Sequence, residues 1–224
     1  MQVLIVHAHP EPMSFNSALM KHARAYFEAK GDSVMVSDLY AMGFNPVGGR
    51  HDFQSEKDPD YFKYQAEQVH AFQEGAYSTE IQTEMDKLDK ADVVIFNFPI
   101  WWFGLPAILK GWVDRVFAMG FVYGAGKGVY DNGHYKDKKA FVTITTGGPQ
   151  PAYGEEGKNG ELDEILFPIQ HGMFYFTGMT VLPPFIAFGP ARKSEDERAE
   201  DLRRYTAYLE ALDHHTPVYE ASLE

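Results

Sequence analysis

Residues Asp92 to Phe121 read DVVIFNFPIWWFGLPAILKGWVDRVFAMGF, and this stretch decides the fold. It opens on a continuous apolar run, Val93 to Phe98, rich in β-branched and aromatic residues. That pattern predicts a strand buried on both faces, as in a parallel sheet. Pro99 stops the strand, and a turn of Trp101, Trp102, Phe103 and Gly104 follows. Pro106 then opens a helix in which Ile108, Leu109, Trp112, Val113 and Val116 recur at helical spacing, with Lys110, Asp114 and Arg115 between them. A large aromatic surface is thus placed at the carboxyl end of a central strand, where open α/β sheets bind their ligands. Such a surface suits a flat aromatic cofactor.

Upstream, Gln2–Val6 reads as a buried first strand and Ser33–Asp38 as a second. Between them a helix is marked by Phe15, Leu19, Ala23 and Tyr26, with Ser14 placed to cap it. This is one βαβ unit with a right-handed crossover. Its turn, His7-Ala8-His9-Pro10-Glu11-Pro12, lacks both the G-x-G-x-x-G and the G-x-x-x-x-G-K-[ST] pattern. In their place Ser14, Phe15 and Asn16 put small polar groups beside the free amides of a helix start, which suits a phosphate or pyrophosphate. Ordinary capping explains the same residues. Tyr40 to Gly75 is a long irregular connection with a short helix near Ala66–Phe72, and Thr79 to Ala91 is a helix leading into the central strand.

Downstream, Gly120 and the run from Phe121 to Gly128 form an aromatic, glycine-rich loop. Lys139–Thr145 is a fourth strand ending in Thr146-Gly147-Gly148, where paired glycines let backbone amides approach a ligand closely. A helix from Leu162 to Phe176 is expected to bend at Pro168, and Thr180–Leu182 is a short fifth strand before Pro183-Pro184 and a loop. Ser194, followed by Glu195, Asp196 and Glu197, starts the last helix. From about residue 213 to 224 a loose tail is expected. No repeat or linker divides the chain, so residues 1–224 are read as one domain.

Five strands alternating with helices predict an α/β, doubly wound parallel sheet of order 2-1-3-4-5, with helices on both faces. In that order the loops at Ser14–Asn16, Trp102–Gly104 and Thr146–Gly148 converge at one edge. Bulk properties narrow the partners. The net charge of -12 argues against nucleic acid and against an anionic membrane surface. With no cysteine, thiolate metal sites, iron–sulfur clusters and disulfides are excluded. The opening residues MQVLIVHAHP have neither the basic start nor the apolar length of a signal peptide, so a cytoplasmic location is expected. The aromatic content of 15% is high enough that part of it belongs to a site.

Three segments, AHPEPMSFN (8–16), FPIWWFGLPAILKGWVDRVF (98–117) and TTGGPQPAYGEEGKNGELDEILFPIQHG (145–172), resemble the flavodoxin-like NAD(P)H:quinone oxidoreductases of the DT-diaphorase type. The resemblance runs from the first strand to about Leu202. It implies non-covalent FAD, with FMN the alternative, NADH or NADPH as co-substrate, a quinone acceptor, two-electron ping-pong hydride transfer, and a homodimer with its active site at the subunit interface. It places His9, Ser14, Phe15 and Asn16 at the pyrophosphate and adenosine side. Pro99, Ile100, Trp101, Trp102 and Phe103 run under the isoalloxazine; for Trp101, plain core packing is the alternative. Thr145, Thr146, Gly147, Gly148 and Tyr153 cover the pyrimidine end, and Arg198 and Leu202 lie near the adenine. Trp102, Phe103, Gly148 and Tyr123, the last from the partner subunit, would line the substrate site.

Departures from the family pattern carry information. Asn159 stands where the family has a histidine that relays a proton with the tyrosine, here Tyr153; asparagine donates a hydrogen bond but does not titrate. Ala125 replaces a second pocket aromatic, which predicts a wider pocket, and Ala152 replaces a methionine. Lys63 takes the place of a cofactor-contacting glutamine and would meet the pyrophosphate. The metal site of some relatives needs a cysteine, so no metal is expected, and His134, His171, His214 and His215 are read as structural or exposed. Alternative functions are an azo or nitroaromatic reductase and a regulatory flavoprotein docked on a potassium efflux transporter.

Overall fold

In the computed structural model, which describes residues 1–219, the apolar runs become the strands of one parallel sheet. The strands are β1 (Gln2–His7), β2 (Ser33–Asp38), β3 (Val93–Pro99), β4 (Lys139–Thr146), β5 (Thr180–Val181) and β6 (Phe185–Phe188). Between and after them come α1 (Phe15–Ala29), α2 (Tyr64–Glu74), α3 (Thr79–Lys90), α4 (Ala107–Val116), α5 (Leu162–Ile169) and α6 (Glu195–Glu210). The spatial order is β2-β1-β3-β4-β5, the doubly wound order, and β6 also pairs with β4. Expected strand five is therefore two pieces sharing one position: β5 pairs with Lys139 and Ala140, and β6 with Thr143 to Thr146. Pro183 and Pro184 have no amide hydrogen for the ladder, so pairing stops there and resumes at Phe185, in what the pattern predicts to be loop.

Every residue of β3 is buried, as its apolar run requires, and the one polar position within it, Asn97, is buried too. Val94, Phe96 and Phe98 join the core on one face with Trp112 of α4 and Phe174. Ile95 joins Leu19 and Phe27 of α1 and Tyr205 of α6 on the other. The Phe96 and Trp112 rings meet edge to face at 5.7 Å, and each such buried side chain contributes roughly 1.5–3 kcal/mol. Ser14 and Ser194 cap α1 and α6 as expected. The helix predicted through Phe176 is α-helical only to Ile169. Pro168 removes one amide from the ladder, the next turn (Gln170–Phe174) widens to a π-helix, and Gly178 at φ +96° ends the segment.

The long connection after β2 is fastened from below. Arg115, one of the polar positions in the helical spacing of α4, is buried at 2% exposure. Its Nε and Nη2 donate to Asp52 Oδ1 at 2.8 and 2.7 Å, and Nη1 donates to Glu80 Oε2 at 2.9 Å and to the Asn45 carbonyl. Gly111 on the same helix lies so close to the connection that a Cβ there would stand 2.2 Å from the Pro46 carbonyl oxygen. Within the tail, Asp213 pairs with Lys139 at 2.6 Å, His215 stacks on Tyr208, and the Val218 amide donates to Val181 at 2.8 Å. Residues 220–224 of the expected tail lie outside the described residues. Among the described residues, no helix is long and apolar enough to cross a membrane.

Candidate functional site

A parallel sheet delivers the carboxyl ends of all its strands to one edge, and a groove of about 490 Å³ runs there. The β1–α1 loop contributes His9, Ser14, Phe15 and Asn16; the end of β3 contributes Pro99, Ile100 and Trp101; the end of β4 contributes Thr145, Thr146 and Gly147. Pro190 and Ala191, from the loop after β6, and Arg198 of α6 complete the wall. A second space of about 360 Å³ shares Ser14, Phe15 and Arg198 with it and reaches Leu202. Pro190 and Ala191 have no counterpart among the sequence candidates. Their signal is the Gly189-Pro190 pair that closes β6, a strand whose sequence pattern predicts a loop.

Ser14, with extended backbone (φ −65°, ψ 160°), accepts the Ser17 amide at 3.1 Å and so holds the first turn of α1 open toward the groove. Asn16 is 2% exposed; its Oδ1 accepts the Thr145 hydroxyl at 2.7 Å, which ties α1 to β4. Its Nδ2 is buried with no partner among the described residues, a donor that native structures satisfy with a ligand or water. His9 Nδ1 accepts the Glu11 amide at 3.0 Å, leaving Nε2 as its donor. Burial holds His9 below the usual imidazole range.

The aromatic turn has an unusual backbone. Trp101 and Gly104 exchange amide hydrogen bonds at 3.2 and 3.0 Å, and between them Trp102 (φ +50°) and Phe103 (φ +58°) are both left-handed. This is the geometry of a type I′ turn, which normally takes Asn-Gly. Held by two bulky residues, it stores roughly 1–3 kcal/mol at each. The strain serves display: Trp102 is 98% exposed and Phe103 51%. Neither turn amide donates to another described residue. Trp102→Gly, which forfeits almost no packing, is expected to raise folding stability by about 1 kcal/mol while lowering turnover. A urea titration and a steady-state assay check this, and a variant equally stable and fully active would remove the turn from the site.

At the glycine bend the Thr146 hydroxyl donates to the Gly148 carbonyl at 2.7 Å, and the Gly189 amide donates to the Thr146 carbonyl at 3.0 Å. Tyr153 and Asn159 flank Gly148: a Cβ there would lie 3.5 Å from the Tyr153 ring and 3.4 Å from Asn159 Nδ2. The loop between them closes because the Asn159 amide donates to the Ala152 carbonyl at 2.9 Å, and because Gly157 passes over Ala152 where no side chain fits. The structure thus brings the expected Tyr153 and Asn159 together beside the bend.

Two candidates lie apart from the groove within one chain. Lys63 is exposed at the start of α2 with its ammonium 5.3 Å from the Tyr61 ring. Tyr123 accepts a hydrogen bond from Gln65 Nε2 at 3.1 Å and lines a separate cavity of about 470 Å³ with Tyr64, Gln68 and Phe176. Both residues are solvent-accessible. Among the described residues, no group of three or more His, Asp or Glu is placed to hold a metal ion.

Comparisons with known proteins agree with this architecture. The family described as flavodoxin-like fold matches residues 1–209. The chain is 43% identical over 219 residues to NAD(P)H dehydrogenase (quinone) 1 of Cavia porcellus, an alignment covering 97% of this chain and 79% of that one. It is 41% identical to ribosyldihydronicotinamide dehydrogenase (quinone) of Rattus norvegicus, with 97% and 94% covered. A candidate quinone reductase from Klebsiella pneumoniae superposes with a TM-score of 0.93 at 38% identity, covering 97% of this chain and 87% of that one.

Proposed function

Since the chain belongs to the flavodoxin-like family that includes these quinone dehydrogenases, we propose that it is an FAD-dependent NAD(P)H:quinone oxidoreductase, cytoplasmic, working as a homodimer. The observation that carries this reading is the groove itself. It offers a buried unpartnered donor at Asn16 beside a helix start, and a neighbouring space that shares Ser14, Phe15 and Arg198 with it reaches Leu202, where an adenosine half would lie. That second space supports FAD over FMN. Bound FAD would accept a hydride from NAD(P)H and pass two electrons on to the quinone.

The chain's own residues divide the work. Ser14, Asn16 and the first amides of α1 bind phosphate oxygens, and Arg198 and Leu202 hold the distal end. Pro99, Ile100 and Trp101 form the floor. The free amides of Trp102 and Phe103 address the reducible edge. With a flavin bound, the amides of Gly147 and Gly148 and the Tyr153 hydroxyl would donate to its pyrimidine end and favour its reduced form. Asn159 orients Tyr153 or the ligand, and it leaves Tyr153 as the member of the pair that bears a transferable proton. Trp102 and Phe103, with Tyr123 of the second subunit, leave one open face. Donor and acceptor occupy it in turn, which gives ping-pong kinetics.

The purified protein is expected to be yellow with about one FAD per chain, and to give parallel double-reciprocal plots for NAD(P)H against quinone. A colourless preparation that stays inert after FAD is added would overturn the reading.

A further inference from the structure

β1 ends in a histidine, His7. His7 is 0% exposed. Its Nδ1 lies 2.9 Å from Asn97 Oδ1 on β3, and its Nε2 lies 3.1 Å from Ser17 Oγ on α1. Ser17 Oγ receives the Ser14 hydroxyl at 3.0 Å and gives its own hydrogen to the Glu11 carbonyl at 3.0 Å. A hydrogen-bonded path therefore leads from the middle of the sheet, through Ser17 and Ser14, to the wall of the groove.

His7 and His9 stand two residues apart, yet their ring nitrogens face opposite kinds of atom. His9 Nδ1 accepts an amide hydrogen, so a second proton on that ring would break an existing bond. Both nitrogens of His7 face oxygen. With the Ser17 hydrogen given to Glu11 and Asn97 Oδ1 facing the ring, both nitrogens donate when the ring is protonated; in the neutral ring Ser17 turns its hydrogen to Nε2 and Nδ1 alone donates. An imidazole donating at both nitrogens is an imidazolium. Turning the Asn97 amide over restores a neutral ring, because its Nδ2, buried here with no partner, would then donate to Nδ1. The two protonation states differ by one hydroxyl or one amide rotation. Burial holds His7 below the usual imidazole range, against the pull of Asn97 and of Asp38 on β2, and His9 adds to the lowering. The groups touching the ring from β3 and α1, Asn97 and Ser17, carry no charge.

The groove is poor in positive charge. Among the residues lining it, Arg198 alone carries a fixed positive charge, and the chain as a whole carries -12. A pyrophosphate brings two negative charges to this place. Building on the FAD reading above, we propose that His7 takes up a proton when the phosphate-bearing cofactor enters the groove, and serves as a buried counter-charge acting through Ser17 and Ser14. The Ser14 hydroxyl turns from Ser17 to a phosphate oxygen, and Ser17 then accepts from His7 alone. His7 touches no ligand atom and is a positioning residue. By linkage, proton and cofactor strengthen each other's binding by one common factor. A rise of about one unit in the His7 pKa makes FAD bind about tenfold more tightly well below that pKa than well above it.

Calorimetric titration of the full-length apoprotein with FAD, between about pH 6 and pH 8 and in buffers of different ionisation enthalpy, reads the proton directly. Wild type is expected to take up a proton with FAD and none with riboflavin, which has no phosphate. His22→Gln, at a histidine of α1 bonded to Thr206 and outside the groove lining, should keep the uptake and His7→Gln should lose it. FAD binding without uptake in wild type, or undiminished uptake in His7→Gln, overturns the proposal. Should His7→Gln not fold, the imidazole resonances of wild type decide: FAD must raise the His7 pKa, and an unchanged value rejects the idea. A protein that yields no binding heat with FAD rejects the cofactor reading as well, a result plainly different from binding without proton uptake.

Discussion

Arg115→Met is expected to lower folding stability by about 3–5 kcal/mol. The guanidinium is buried among Asp52, Glu80 and the Asn45 carbonyl, with the Phe44 ring 4.8 Å from its Cζ. Methionine fills most of the volume but leaves Asp52, itself 1% exposed, as a buried carboxylate. The Tyr64 hydroxyl, at 2.5 Å, and the Gly49 amide, at 3.1 Å, would be its remaining hydrogen-bond donors, with His51 Nε2 3.5 Å from Oδ1 at the exposed side. Burial, then the hydrogen bond and charge of Asp52, keep the Tyr64 phenol protonated far above its usual range, so it cannot supply a counter-charge. Adding Asp52→Asn to the Arg115→Met variant removes the stranded charge and is expected to recover part of the loss. Guanidinium denaturation of the single and double variants checks this. A double variant no more stable than Arg115→Met would show that lost packing of the connection, not charge burial, sets the cost.

The second large effect is on chemistry. Tyr153→Phe is expected to reduce kcat about a hundredfold, the usual cost of one missing donor at a site of developing charge. The ring contact with Phe188, at 5.9 Å between centroids, survives the change, so the loop keeps its shape. Bound flavin per chain should therefore match wild type. Flavin content and single-turnover reduction by NADH and NADPH separate the two roles. If affinity for FAD falls as far as the rate does, Tyr153 is a structural residue.

How far the sequence could be read depended on whether a feature was local. The run from Val93 to Phe98 needs only its own residues to declare a doubly buried strand, and the Ser14 and Ser194 caps are set by their next three neighbours. The three groove loops follow from strand order. Arg115 was hidden because helical spacing assigns an arginine to the wet face, whereas its partners come from positions 45, 52 and 80 and meet it only after the connection folds. The break at Pro183-Pro184 was visible, but the return of the chain to the same edge of β4 depends on long-range pairing. Tyr153 and Asn159 were named by resemblance; their proximity rests on Gly157 crossing Ala152, a contact that periodicity does not encode.

The three indoles of this chain report three different worlds. Trp112 is sealed in the core, Trp101 is 41% exposed at the floor of the groove, and Trp102 stands almost bare. Ultraviolet emission from the protein therefore contains a blue component that is indifferent to what happens outside and a red component that is not. A ligand or a second subunit covering the turn dims the red light first, so the molecule carries its own optical gauge of occupancy.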